Sequence, residues 1–229
     1  MKRYTIDPVM ISLDEFQDLT ATRRMLPGRI VLHEHMEERF GLLKRSGAKT
    51  LADLIRLLGS KAKIKEYAAR AGLDIHYLVL LKREACSYIA RPFPLSGFPG
   101  IPFEYLEILQ ARGIRNTGDL FEQVQSERQQ DDLSASTGIP AYRLNELFTL
   151  CELTRVTGVG GIFARVLFEA GIRSIADFAG ADCPALLERC RSVIEKNGYT
   201  IGTLGEMDIS YVISYAKIVL ECDQKSDSE

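Results

Sequence analysis

The sequence has few of the residues that metal sites and nucleophilic catalysis commonly use. It contains no Trp and 3 His, and its 5 Cys are scattered without a CxxC pair. An odd, dispersed set of cysteines suits a reducing cytoplasm better than a disulfide framework. His33 and His35 point about 200° apart on a helix, although an extended segment would place them on one face. We expect no metal and no cofactor, and with no catalytic constellation visible an enzyme is the less favoured class.

Long apolar runs are also missing. No segment approaches the roughly 20 apolar residues that a transmembrane helix needs, and the first residues carry no apolar run after their charges, as a signal peptide would. Hydrophobic residues at 46% and charged residues at 26% are typical of a soluble globular protein. We therefore expect a cytoplasmic protein that does not bind membranes. The length of 229 residues allows one large domain or two smaller ones.

An excess of positive charge is missing as well. The net charge of −2 counts against a generic nucleic-acid-binding protein, which tends to be basic. The two parts of the chain differ, however. Residues 1–91 contain 17 Lys and Arg against 11 Asp and Glu, which gives +6, whereas residues 92–229 contain 12 against 20, which gives −8. A surface that attracts a polyanion is therefore expected in the first part.

Glycine, in contrast, occurs in a repeated pattern. Residues 47–54, 113–120 and 171–178 share the order glycine, apolar, basic, helix-capping residue, two further residues, Asp, apolar. A capping residue followed by Asp in the first turn marks the start of a helix. Self-similarity at a fixed spacing predicts an all-α fold of three tandem, helix-hairpin-helix-like repeats packed in a row. The expected boundaries are 1–32 for a leading segment, 33–91, 92–153 and 154–221 for the repeats, and 222–229 for a disordered tail.

The third repeat contains the most informative stretch, because a glycine hairpin precedes an amphipathic helix there. Gly158, Val159, Gly160 and Gly161 interrupt the chain, and apolar residues then recur with helical spacing up to Gly171. This stretch resembles the helix-hairpin-helix motif, with Ala164 as the small residue where two helices cross. In that family the hairpin amides at a helix N-terminus hold a nucleic-acid phosphate, as orphan N–H groups and the helix dipole allow.

Other parts of the chain match this motif less completely. Gly100 and Ile101 are the counterparts of the hairpin in the second repeat, whereas the first repeat lacks the glycines. The competing interpretation is an αα-hairpin whose glycines serve only a tight turn. In the third repeat Arg155 and Arg165 are close to the hairpin in sequence, so each is a candidate to flank a bound phosphate.

The chain as a whole, over residues 12–220, resembles a bacterial family described as a domain of unknown function, DUF4332. The residues that carry the resemblance include Arg39-Phe40, Arg91 to Leu95, Phe98 to Gly100 and Arg155 to Gly160. The resemblance implies a helical fold built of helix-hairpin-helix-like units. It implies no activity, substrate or catalytic residue.

Two functions remain open. The first is non-catalytic, sequence-independent binding of nucleic acid, most readily DNA, through the glycine hairpins and the basic residues Lys61, Lys63 and Lys65. The second is a protein–protein adaptor built of stacked helical hairpins, since charged helix faces are usually only solubilising surfaces. The sequence favours the first narrowly, because hairpin glycines have a physical use for phosphate. It leaves the oligomeric state open.

Overall fold

The computed structural model describes residues 3–22 and 25–226, and these residues form helices and loops with no β-strand. The all-α prediction is therefore confirmed for the described residues. The α-helices are α1 Leu13–Thr22, α2 Met36–Arg45, α3 Leu51–Leu57, α4 Lys61–Ala71, α5 Ile75–Ser87, α6 Phe103–Ala111, α7 Thr117–Gln123, α8 Glu127–Thr137, α9 Ala141–Leu153, α10 Gly161–Glu169, α11 Ile175–Ala179, α12 Cys183–Asn197 and α13 Glu206–Ser226. Short 3-10 helices lie at Pro8–Met10, Pro27–His33 and Leu95–Gly97.

The chain divides into two compact units. The N-terminal unit is Ile6–Ile89 and contains α1 to α5. The C-terminal unit comprises residues 3–5 and 90–226 of the described chain and contains α6 to α13. The predicted second and third repeats thus lie in the C-terminal unit, and residues 33–89 of the predicted first repeat lie in the N-terminal unit.

The leading segment contributes to the core of the N-terminal unit. Ser12 and Glu15 exchange side-chain hydrogen bonds with each other's backbone amides, which starts α1. Phe16 then lies fully buried between Phe40 and Tyr88, with ring centroids 5.9 and 5.6 Å away. Residues 12–22 therefore form part of the N-terminal unit and are not a separate segment that precedes it.

The glycine-to-Asp pattern has the same local structure at all three places. In each, the capping side chain accepts a hydrogen bond from the amide of the Asp three residues later, and the Asp carboxylate accepts one from the amide four residues earlier. The capping pairs are Thr50 with Asp53, Asn116 with Asp119, and Ser174 with Asp177. The amides that the carboxylates receive belong to Lys49, Arg115 and Arg173, at 3.1, 2.9 and 3.1 Å.

Two of these caps share a further feature. An isolated antiparallel bridge joins Ser12 to Thr50, and another joins Pro94 to Asn116. The residue that pairs with the capping residue is thus Ser12 in the N-terminal unit and Pro94 in the C-terminal unit.

The C-terminal unit packs around α9 and α13. α9 lies against α7, α8 and α10, and α13 lies against α11 and α12. Tyr4 joins this unit, since its ring packs edge-on against Phe121 and its hydroxyl is 3.0 Å from the Thr154 hydroxyl. Phe148 also stacks on Phe121, with ring centroids 5.4 Å apart.

The end of the chain differs from the predicted disordered tail. α13 continues to Ser226, Cys222 is buried, and Asp223 pairs with Arg155. The apolar spacing of Ile218, Val219 and Cys222 carries the helix beyond the predicted boundary. Residues 227–229 lie outside the described residues.

Candidate nucleic-acid interface

The hairpin before α10 leaves the start of that helix without a side-chain cap. Gly158 has φ +91°, a left-handed conformation that glycine adopts without strain. Val159 is buried and its amide donates to the Val156 carbonyl at 3.0 Å. Gly160 is the exposed N-cap residue, and as a glycine it has no side chain that could cap the first turn. The first amides of a helix have no partner within it, so side chains outside the helix, water or a ligand must satisfy them.

Gly161 has a different role from Gly160. A Cβ on Gly161 would lie 2.8 Å from the Gly97 carbonyl carbon and still closer to its oxygen, whereas a Cβ on Gly160 would meet nothing within 4 Å. Gly161 is therefore explained by close backbone packing inside the protein. The space beside Gly160 remains open.

The second hairpin lies next to the first. Gly100 has φ +78° and is exposed, and Ile101 is half-buried. The guanidinium of Arg165, on α10, donates through Nε to the Pro99 carbonyl at 3.0 Å. Together with the contact between Gly97 and Gly161, this bond brings the two hairpins together within the C-terminal unit.

The helices that follow the two hairpins lack a side-chain cap, whereas most other helices of the C-terminal unit have one. α7, α8, α11 and α12 begin with side chains that cap the first turn, namely those of Asn116, Ser126, Ser174 and Asp182. α6, α9 and α10 follow Pro102, Pro140 and Gly160 and have no side-chain cap. α6 carries Glu104 in its first turn, whereas the first turn of α10 has no acidic residue. Of the two helices that follow the hairpins, α10 therefore has the more favourable N-terminus for an anion.

The two arginines predicted to flank a phosphate are buried. Arg155 is 2% exposed, and its guanidinium donates to both carboxylate oxygens of Asp223 at 2.8 and 2.5 Å and to the Tyr4 carbonyl at 3.0 Å. It also lies over the Phe121 ring. These bonds hold α13 and the first residues against the chain after α9. A guanidinium occupied in this way does not reach an external phosphate, so Arg155 is removed from the candidate interface.

Arg165 is 5% exposed and pairs with Glu146 of α9 through Nη1. Arg143 donates to the other oxygen of the Glu146 carboxylate at 2.8 Å. Burial, the largest effect on Glu146, raises the pKa, but the hydrogen bonds from Arg165 and Arg143 outweigh it and lower the pKa below its ordinary value. Arg165 therefore positions the Gly100 hairpin against α10. Its Nη2, which would lie 3.9 Å from a Cβ on Gly100, is buried and has no hydrogen-bond partner among the described residues.

The predicted basic residues keep their place at the surface. Lys61, Lys63 and Lys65 are exposed on α4, in the first two turns of that helix. They belong to the N-terminal unit, whereas both glycine hairpins belong to the C-terminal unit. The lysines therefore form a separate basic surface on their own unit.

Sequence reasoning missed a group of exposed apolar side chains. Phe103, Tyr142 and Ile162 are 72%, 66% and 38% exposed, and each lies in the first turn of a helix without a side-chain cap. The sequence signal was their position one or two residues after a run of glycine, an apolar residue and a Pro or Gly, which places them in the first turn of a helix.

The structure also bears on other kinds of site. His33 is hydrogen-bonded through Nε2 to the Thr20 carbonyl at 2.9 Å. Within residues 3–22 and 25–226, no group of His, Cys, Asp and Glu side chains is arranged to hold a metal ion. None of the helices described in these residues combines the length and apolarity needed to cross a bilayer.

Comparison with protein families gives a match to the domain of unknown function DUF4332 over residues 99–217, which is more than half of the chain. The chain belongs to the DUF4332 family. The matched region contains both glycine hairpins and ends within α13, whereas Lys61, Lys63 and Lys65 lie outside it. Comparisons with curated proteins and with solved structures give no match.

Proposed function

We propose that this DUF4332 protein binds nucleic acid, most readily DNA, without catalysis and without reading its sequence. The backbone amides at the start of α10, around Gly160 and Gly161, hold one phosphate. The Gly100–Ile101 hairpin beside it holds a second, and Lys61, Lys63 and Lys65 supply a separate basic surface. Backbone amides and ammonium groups contact phosphates, which carry no base identity.

The start of α10 is the observation that supports this proposal most strongly. It combines an N-cap glycine with open space beside it, no side-chain cap and no acidic residue in the first turn. The partial positive charge of a helix N-terminus favours an anion at that place. Four neighbouring helices of the same unit have polar side chains at the corresponding position, so the missing cap is not a general property of the chain.

We also infer that the chain consists of three helix-hairpin-helix-like repeats. The shared caps at Asp53, Asp119 and Asp177 and the two isolated bridges support this inference. The first repeat departs from the others because its capped turn is not preceded by a glycine hairpin. Its contribution to binding would then come from lysines and not from hairpin amides.

The first test is the salt dependence of binding. At about 50 mM salt we expect the protein to bind a fluorescently labelled duplex, and two duplexes of unrelated sequence should bind with the same affinity. Each phosphate neutralised should add about −0.9 to the slope of log K against log salt. Fluorescence anisotropy measures both quantities. Lack of binding at about 50 mM salt, or a clear preference for one sequence, would contradict the proposal.

One observation favours the adaptor as a second candidate. Phe103, Tyr142 and Ile162 expose apolar surface on the C-terminal unit, and exposed apolar side chains are a common feature of protein interfaces. Under this alternative, a Phe103→Ser, Tyr142→Ser double variant would lose a co-purifying protein partner. Under the nucleic-acid proposal, the same variant would keep the salt-dependent part of its affinity for a duplex, because the phosphate contacts are unchanged.

A further inference from the structure

Two exposed aromatic rings lie at helix starts of the C-terminal unit. Phe103 is the first residue of α6, and Tyr142 is the second residue of α9. Each of these helices follows a Gly-Ile-Pro sequence and has no side-chain cap. The N-terminus of a helix favours an anion. A flat apolar ring in the same turn therefore suits a ligand that is both aromatic and anionic.

The start of α9 also has a cation beside its ring. The guanidinium of Arg143 lies over the Tyr142 ring, 5.2 Å from the ring centroid. The Arg143 side chain is partly exposed and donates to Glu146 at 2.8 Å. The first turn of α9 contains no acidic residue. This single turn thus combines an uncapped helix start, a cation and an exposed ring.

The same cationic network extends to the Gly100 hairpin that precedes α6. Glu146 accepts hydrogen bonds from both Arg143 and Arg165, so the three side chains together carry one positive charge. The Nη2 atom of Arg165 would lie 3.9 Å from a Cβ on Gly100, and it is buried without a hydrogen-bond partner among the described residues. This charge beneath the hairpin offsets that of Glu104 in the first turn of α6.

From the exposed rings and this charge we propose that the protein prefers single-stranded nucleic acid to a duplex, and that unpaired bases stack on Phe103 and Tyr142. A nucleotide carries an aromatic base and an anionic phosphate, which match the ring and the uncapped amides of one helix turn. In a duplex the faces of the bases are covered by neighbouring base pairs, so the rings have nothing to stack on. The inference rests on the proposed nucleic-acid binding and adds the strandedness of the ligand.

Fluorescence anisotropy at about 50 mM salt tests the inference by comparing a labelled DNA single strand with the duplex of the same sequence. A length of about 16 nucleotides is within the range that single-strand-binding domains cover. We expect wild type to bind the single strand at least about fivefold more tightly than the duplex, as base stacking on an aromatic ring predicts. The Phe103→Ser, Tyr142→Ser double variant should lose this preference. Its affinity for the duplex and its slopes of log K against log salt should stay unchanged, because no phosphate contact is removed.

Two control variants separate the aromatic rings from apolar surface in general. The Phe103→Tyr, Tyr142→Phe double variant keeps both rings and should keep the preference for the single strand. Ile75→Ser removes an exposed apolar side chain from the first turn of α5, a helix that Asp74 caps. This variant should bind both ligands as wild type does. All three positions are exposed, and circular dichroism checks that each variant folds.

Equal affinities of wild type for the single strand and the duplex, or an unchanged preference in the double serine variant, would overturn the inference. Duplex binding without that preference leaves the proposed function in place, whereas lack of binding to both ligands contradicts the proposed function as well. If the double serine variant instead loses a co-purifying protein and binds the single strand as wild type does, the rings belong to a protein interface and the inference is also overturned.

Discussion

At the scale of single residues, the consecutive glycines Gly160 and Gly161 have different surroundings. Gly161 approaches the Gly97 carbonyl so closely that no side chain fits, whereas Gly160 has open space and an extended backbone with φ −89°. Close packing therefore requires glycine at position 161, whereas packing does not require it at position 160. Only the structure distinguishes them, because the sequence places the same residue type at both positions.

Replacing Gly161 by Ala should destabilise the protein by about 1–3 kcal/mol, because the new methyl group must displace the backbone of Gly97. The matched variant Gly202→Ala adds a methyl group at an exposed glycine with nothing within 4 Å, and its stability should change little. Chemical denaturation monitored by circular dichroism measures both free energies of unfolding. Equal stabilities of the two variants would show that the contact with Gly97 is not tight in solution.

At the scale of elements, a buried ionic network joins α9, α10 and the loop before α6. Glu146 receives Arg165 and Arg143, and Arg165 also donates to the Pro99 carbonyl. These bonds place the Gly100 hairpin beside the start of α10. The network thus positions the two hairpins of the candidate site and is not itself proposed to contact a ligand.

This network predicts a pH dependence of stability. The folded protein holds the pKa of Glu146 below its ordinary value of 4.5, so the ionised carboxylate stabilises the fold above that pH. The contribution is lost as the pH falls from about 4.5 through the lowered pKa. Glu146→Gln should therefore be less stable than wild type by about 1–3 kcal/mol at pH 7, and the difference should shrink below about pH 4.5.

Denaturant unfolding measured from neutral to acidic pH checks this expectation. Glu107→Gln removes a carboxylate from the exposed surface of α6 and serves as the matched control, with a small difference at every pH. A stability difference for Glu146→Gln that stays constant across the acidic range would contradict the proposed ionic role of Glu146.

At the scale of the whole molecule, local patterns in the sequence predicted the helices and their caps. The contacts between residues far apart in sequence could not be predicted. The all-α class follows from apolar spacing and capping residues, and the helix starts at Thr50, Asn116 and Ser174 were found because capping is a local interaction. The division into Ile6–Ile89 and the remainder could not be predicted, since Tyr4 joins the C-terminal unit through contacts with residues more than a hundred positions away.

Local patterns indicated some residues of the candidate site, whereas contacts between distant residues again could not be predicted. Gly158, Gly160 and Gly100 were recognisable from sequence, because hairpin glycines precede a helix at a fixed spacing. The burial of Arg155 and Arg165 could not be predicted, because a basic residue near a hairpin in sequence looks the same whether its partner is a phosphate or a buried carboxylate. Their partners, Asp223 and Glu146, are 68 and 19 positions away.

If the amides at the start of α10 hold a phosphate, the carboxylate of a Gly160→Asp variant should compete with that phosphate. Gly160 is an N-cap residue with an ordinary φ and open space, so Asp fits there and can cap the first turn itself. The variant should be as stable as wild type or slightly more stable. Its carboxylate would occupy the amides that a phosphate needs.

The measurement is the affinity of Gly160→Asp for a labelled duplex at about 50 mM salt, compared with wild type and with Gly202→Asp. The second variant makes the same change of charge at an exposed glycine outside the hairpin. Binding should weaken about tenfold or more for Gly160→Asp, while Gly202→Asp remains within about twofold of wild type. Equal affinities of the two folded variants would contradict phosphate binding at the α10 hairpin.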